Sequence, residues 1–406
     1  MIDLFQPVQL PCGVQLKNRM AKSAMSDSLG DGRGNPTDAQ IRLYERWAQG
    51  GAALSIVGEV QGNPNAAEKP GNLVLGPKSD DAQLRALTTR GSANHTHLWA
   101  QLGHAGAMAH PPLAAPDPPR GPSALELPGQ QIVAMSLAEV QAIPDQIART
   151  AAFAKRVGFT GVEVHAAHGF LLSQFLSPLF NQRADAYGGD VKNRMRLVLE
   201  TIDAVRAAVG ESFPMGLKLN ATDQLEGGFV EDEALEVVKA LDATDLDLID
   251  ISGDTYFPGA KSASDAASSG PYFLDFTRRA RTVSSKPLMS TGGFKTFAMA
   301  RDAVASGAVD MVGLARPMVL DPSLPDHWQS GQNTEPTFPR FADPQEGAVT
   351  AWYTMRLTQL AEDAESQEKY GSTDANSALA TYNARDNEKT KLWQAWFSSG
   401  PRHVDD

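Results

Sequence analysis

Eight brief apolar runs, each followed by a longer segment with the period of a helix, constrain this chain's fold more than any other feature. The runs are Arg19–Ser23, Ala53–Glu59, Leu98–Leu102, Gly161–His165, Met215–Leu219, Leu246–Ile251, Pro287–Ser290 and Val309–Gly313. Asn35-Pro36 opens one intervening helix, with Ile41, Tyr44, Trp47 and Ala48 on its apolar side and Gly50-Gly51 at its end. Pro144 is expected to start another, which Gly158 closes; Met195, Val198, Ile202, Val205 and Val209 repeat a 3, 4, 3, 4 spacing before Gly210. Glu231–Ala243 and Lys295–Ser306 read the same way. Eight strand–helix units predict an α/β fold of the (β/α)8 TIM-barrel type over residues 1–330. A doubly wound sheet is the alternative, weakened because no run leads into a G-x-G-x-x-G turn.

Two stretches fall outside the repeat. His104–Met135, rich in Pro and Gly, follows the third strand and would hang over the barrel mouth, either as a lid or as a disordered loop. Residues 331–406 form a C-terminal helical extension with two helices, Gly347–Glu365 and Asn376–Phe397, separated at Gly371-Ser372. Trp352, Tyr353, Trp393 and Trp396 suggest that these helices pack on the barrel or on a partner subunit.

Composition removes several function classes. The net charge is −12 with no basic block, which argues against nucleic acid as a partner. No run approaches the ~20 apolar residues that span a bilayer, and the N-terminus lacks a signal-peptide pattern, so a cytoplasmic protein is expected. Cys12 stands alone, which rules out an internal disulfide and a cluster held by four thiolates, and reads as structural.

In a barrel the chemistry sits beyond the carboxyl ends of the strands. Ser23-Ala24-Met25-Ser26 follows strand one: a tight turn, or small residues that let a flat ligand reach the backbone. Gly58 allows close approach after strand two, and Glu59 is an acid at the rim. Gln101 ends strand three, tied to backbone or offered to a heterocycle that alternates donors and acceptors. Lys218, on strand five, needs an anion: Glu163 or Glu59 as a structural pair, or a ligand that becomes negative on reduction. Gly292-Gly293 and Ala315-Arg316 follow strands seven and eight, where barrels commonly hold a phosphate, although an ordinary turn with a surface Arg has the same pattern. His165 and His168 leave strand four three residues apart. They read as metal ligands lacking a third partner, as structural caps, or as two hydrogen-bond donors aimed at one oxygen.

The stretches "LKNRMAKSAM", "NPTDAQIRLYERWAQGGAALSIVGEV", "WAQLGHAG", "GVEVHAAHGFLLSQFLSPLFNQRADAYGG" and "VGLARPM" occur in this order. With them, the chain resembles the old yellow enzyme family, FMN-dependent oxidoreductases that take hydride from NADPH or NADH. The resemblance implies an FMN-binding barrel in which Ser23, Ala24, Met25, Ser26 and Gly58 contact the isoalloxazine and Gln101 meets its pyrimidine edge. Lys218 stands where the family has Arg, beside flavin N1 and O2. Gly292, Gly293, Ala315 and Arg316 would hold the phosphate. His165 and His168 would hold the oxygen of an activated alkene, typically an α,β-unsaturated carbonyl compound, while flavin N5 gives up hydride.

Three positions depart from the family. Phe170 lies in the substrate pocket where a Tyr proton donor is usual, Lys218 lacks the fork of Arg, and Ala24 replaces a Pro. Tyr256, beyond strand six, is the candidate replacement acid. Without a competent acid, reduction of nitro groups or quinones, or flavin-mediated oxidation, is the alternative chemistry; a non-enzymatic binding barrel is the third reading. No metal is expected, and the family implies a homo-oligomer, dimer or higher.

Overall fold

A computed structural model describes residues 2–114, 117–127, 130–257, 270–332, 334–365 and 374–398. All eight expected strands are present: β1 (Met20–Lys22), β2 (Leu54–Gln61), β3 (His97–Leu102), β4 (Gly161–Ala166), β5 (Met215–Asn220), β6 (Leu248–Ser252), β7 (Leu288–Thr291) and β8 (Met311–Leu314). They run parallel in the order β1-β8-β7-β6-β5-β4-β3-β2, and β1 also pairs with β2, so the sheet closes into a barrel. Seven helices follow the first seven strands in turn: α1 (Asp38–Gln49), α2 (Asp81–Gly91), α3 (Leu137–Arg156), α4 (Arg196–Val209), α5 (Glu231–Asp242), α6 (Leu274–Arg281) and α7 (Phe297–Ala305). The short α8 (Arg316–Leu320) and α9 (Leu324–Gln329) complete the ring after β8.

Two helix starts differ from the expectation. Helix α1 is capped by Thr37, whose hydroxyl accepts from the Gln40 N–H. Asn35 turns away from it, its side-chain oxygen accepting the Asp80 N–H at 2.7 Å. Helix α3 begins well before Pro144, because Ser136 and Glu139 form a complete capping box there. That cap satisfies the first orphan N–H groups, so Pro144 lies inside the helix as a buried residue and not at its start.

An antiparallel hairpin, Val8–Gln9 with Gln15–Leu16, plugs the barrel floor. Its Val8, Leu10 and Leu16 pack with Leu54, Ile56, Trp99, Leu248, Met289 and Met311. Trp99 fills the floor because two neighbouring strands carry glycine. A Cβ at Gly161 would lie 2.3 Å from the indole nitrogen and one at Gly216 would lie 2.9 Å from the ring. In the hairpin turn, the Cys12 N–H donates to Asp247 at 2.8 Å, and burial pushes the thiol up to about 11, as suits a structural cysteine.

The segment after β3 has structure of its own. It contains a short helix, Pro111–Ala114, and a small sheet of Arg120–Gly121, Leu125–Leu127 and Gln130–Ala134. Beyond the barrel, α10 (Ala348–Ala361) packs on α1 and α8, and α11 (Ala375–Phe397) packs on α10 and on Pro111–Ala114. Trp352, Tyr353 and Trp393 are buried by these contacts, and Trp396 is partly exposed. The expected break at Gly371-Ser372 lies outside the described residues.

Candidate active site

Parallel strands stagger their inward residues into layers, and one layer near the carboxyl ends of this barrel is polar. Gln101 on β3 donates to Glu163 on β4 at 2.6 Å. Lys218 on β5 is bonded to Asp250 on β6, and Thr291 on β7 donates to the other oxygen of Asp250 at 2.8 Å. Ser23, just past β1, closes the chain of bonds against Thr291 at 2.9 Å. Gly313 makes this last contact possible, since a Cβ there would meet both hydroxyls, at 2.0 and 2.3 Å. The partner of Lys218 is therefore Asp250, not Glu59, with Glu163 as a second charge nearby. Burial pushes Glu163 up to about 7; the Lys218 charge pulls it down and Asp250 pushes it up again.

The histidines lie above this layer. His165 and His168 meet edge to face with ring centres 5.2 Å apart, and Phe170 stands 5.0 Å from His165. Gly169 turns the corner between them at φ +79°, where a Cβ would lie 2.1 Å from the Thr255 hydroxyl. His168 is itself at φ +61°, held by the side chain of Asn220, which accepts its N–H at 3.0 Å. Burial is the main reason both rings are neutral. It holds His165 well below the usual histidine range, helped by His168 and Lys218, and with the Lys218 charge it lowers His168 to about 3. His168 Nε2 is engaged with the Ser252 hydroxyl at 2.9 Å, whereas His165 Nδ1 has no hydrogen-bond partner among the described residues. Tyr256 leans over the pair, 5.8 Å from His168 and 6.0 Å from Phe170 between ring centres, and is 59% exposed. His104, at the start of the insertion, is a local brace: its Nδ1 accepts the Gly106 N–H at 3.0 Å.

The remaining expected residues line the same end. Gly58 sits against the loop after β1; a Cβ there would lie 2.5 Å from the Met25 carbonyl oxygen. Ala24 and Met25 are partly buried, and the buried Ser26 hydroxyl has no partner among the described residues. Gly292 and Gly293 have φ +120° and +80° and pack against Tyr272 and Phe273. Ala315 and Arg316 leave β8, the neighbour of β7, and the Arg316 guanidinium lies 5.0 Å from the centre of the Tyr353 ring on α10. Asp250, Ser252, Thr291 and Tyr353 were not expected at the site. Asp250 and Ser252 had a visible signal, polar residues alternating with apolar ones in "LIDIS", as Glu163 and His165 do in "GVEVHA". Tyr353 had none, because it reaches the site from far along the chain.

A family model described as the NADH:flavin oxidoreductase / NADH oxidase family matches residues 3–335. The chain belongs to this family, that of the old yellow enzymes. It is an oxidoreductase that works with FMN and a nicotinamide coenzyme. The NADH-dependent flavin oxidoreductase iliE of Hypocrea jecorina (strain QM6a) is 34% identical over 79% of this chain and 87% of its own length. Its namesake from Neonectria sp. (strain DH2) is 35% identical over 79% of this chain, which spans only 46% of that longer protein. Among solved structures, morphinone reductase in complex with tetrahydroNAD superposes with a TM-score of 0.71 at 25% identity, over 83% of this old yellow enzyme and 93% of the reductase.

The residues present suit FMN. The paired glycines after β7 and Arg316 after β8, whose one described contact is a tyrosine face, suit a phosphate; the orphaned Ser26 hydroxyl suits the ring's polar edge. Among the described residues, no helix of this old yellow enzyme is long and apolar enough to cross a membrane.

Proposed function

We propose that this old yellow enzyme reduces carbon–carbon double bonds activated by a carbonyl group. The observation that carries the reading is the neutral, edge-to-face pair His165 and His168 at the barrel mouth. Neutral imidazole N–H groups bond a carbonyl oxygen without giving up a proton to it, and they bond more strongly as that oxygen gains negative charge. Donors fixed where charge develops contribute about 3–4 kcal/mol each to catalysis. FMN supplies the hydride chemistry when bound. Ser23, Ala24, Met25, Ser26, Gly58, Gln101 and Lys218 hold its ring system, and Gly292, Gly293, Ala315 and Arg316 hold its phosphate. Lys218 is the weak point of that cradle, since its charge already serves Asp250.

Phe170 forms an apolar wall with Ala105 and Ala109, and Tyr256 covers the opening as the one phenol beside the pair among the described residues. The Tyr256 hydroxyl then takes the part of the missing acid. Mixing the NADH-reduced holoprotein with cyclohexenone, a nitro compound and a quinone tests this reading. Reoxidation by the enone is expected. Turnover of the quinone and nitro compound with an inert enone would favour the alternative chemistry, which the absence of an acid at Phe170 supports. Phe170→Tyr is expected to raise the enone rate by about 10-fold or more, within the range of general-acid effects.

A further inference from the structure

Glu59 is a strained, buried carboxyl beside the pair that the reading above does not use. It sits at φ +61°, a conformation that costs a side-chain-bearing residue on the order of 1–3 kcal/mol. The register between β2 and β3 slips between Val57 and Val60, so the strand bulges where Glu59 lies. The bulge turns the side chain inward, where it is 6% exposed, with one carboxyl oxygen 3.6 Å from His165 Nε2. Gly103, bonded through its N–H to the Val60 carbonyl, leaves room for the other oxygen; a Cβ there would lie 3.2 Å from it. Strain, bulge and glycine together place one carboxyl against one ring nitrogen.

We propose that Glu59 is a positioning residue for the enone-reduction reading above: its protonated carboxyl donates to His165 Nε2 and so fixes the ring as the Nδ1–H tautomer. His165 Nδ1 is the buried nitrogen without a partner among the described residues; in this proposal it carries the proton, and the substrate oxygen is the acceptor it lacks. A free imidazole divides its proton between two nitrogens, and only one tautomer presents N–H at the free side. The 3.6 Å contact is longer than a hydrogen bond and needs to close by a few tenths of an ångström, as such contacts do when a ligand enters.

The surroundings favour the neutral carboxyl. Burial is the largest influence and raises Glu59 well above the carboxylate range, and the Glu68 charge raises it further; the Gln61 amide opposes them. Among the described residues, the other charged or titratable groups that act on the dyad are His168 just past β4, Lys218 from β5 and Tyr256 beyond β6. Burial, with smaller contributions from His168 and Lys218, disfavours the imidazolium at His165, so an ion pair between His165 and Glu59 is not the favoured state.

The test is nitrogen NMR of histidine-labelled holoprotein, with His165 assigned by its loss in His165→Asn, and the same measurement on two variants. Wild type is expected to show Nδ1–H. Glu59→Gln keeps a donor toward Nε2 and should retain that tautomer, flavin absorbance and at least a third of the enone reoxidation rate. Glu59→Met, similar in length without a donor, should shift His165 toward Nε2–H and slow the enone step about 10- to 100-fold. An Nε2–H ring or an imidazolium in wild type overturns the proposal, as does Glu59→Met behaving like Glu59→Gln. If wild-type holoprotein reduces quinones but no enone, the functional reading fails, and the wild-type tautomer alone still decides what Glu59 does.

Discussion

Lys218 shares the barrel interior with Asp250 and Glu163, one cation between two carboxyls, and Glu163 absorbs the imbalance. Its folded value of about 7 stands above the 4.5 of an unfolded chain. At pH values below 4.5 both states hold the proton. As pH rises from there toward 7 the unfolded state loses it first, so this group's contribution to stability falls and then levels off. Glu163→Gln removes that slope: its melting temperature relative to wild type should rise between pH 4.5 and pH 8, read by thermal denaturation of both proteins. A gap that stays constant with pH would show that Glu163 does not titrate there. Gly58 offers a second check at this scale. Alanine there drives a methyl group into the Met25 backbone, so Gly58→Ala should displace the loop after β1 and weaken FMN retention by about 10-fold or more, measured by fluorescence titration of released flavin.

At the scale of elements, the chain spells out its strands and most of its helices. Alternation of Val162 and Val164 with Glu163 and His165 marks β4, and the polar members of that alternation became the inward layer. Capping is where local reading failed. Asn35-Pro36 and Pro144 are both good helix openers, but Thr37 and Ser136 with Glu139 satisfy the first N–H groups better. Replacing Ser136 with Ala should cost about 1 kcal/mol in denaturant unfolding, with no change in flavin content. The bulge at Glu59 had a partial signal in Gly58, a glycine inside a strand pattern, but the register slip itself depends on pairing with the neighbouring strand, which no local pattern specifies.

In the whole molecule, the barrel positions the expected residues at one end. For the extension, the sequence left open whether its two helices pack on the barrel or on a partner subunit. Helix α10 is buried on nearly every side, and Trp393 of α11 is fully buried with Ala67, Val74, Leu113 and Phe397. We propose that the described parts of the extension, residues 334–365 and 374–398, fold as part of the barrel unit. Ending the chain at residue 330 should then expose apolar surface on α1 and α8 and give an aggregating product, scored by soluble yield and dye binding. Trp393→Ala should lower unfolding free energy by about 3–5 kcal/mol.

Helix α11 also touches three separate loops at the mouth. Lys389 donates to the Ser28 carbonyl at 2.6 Å, Lys78 donates to the Trp396 carbonyl at 2.9 Å, and Gln394 donates to the Pro112 carbonyl at 2.8 Å. Barrels usually acquire new specificities one loop at a time, because each loop is anchored only by its own strand and helix. In this protein the three loops answer to one helix. A loop borrowed from a relative would arrive without its contacts, so the unit of inheritance at this mouth is the set of loops together with the helix that binds them.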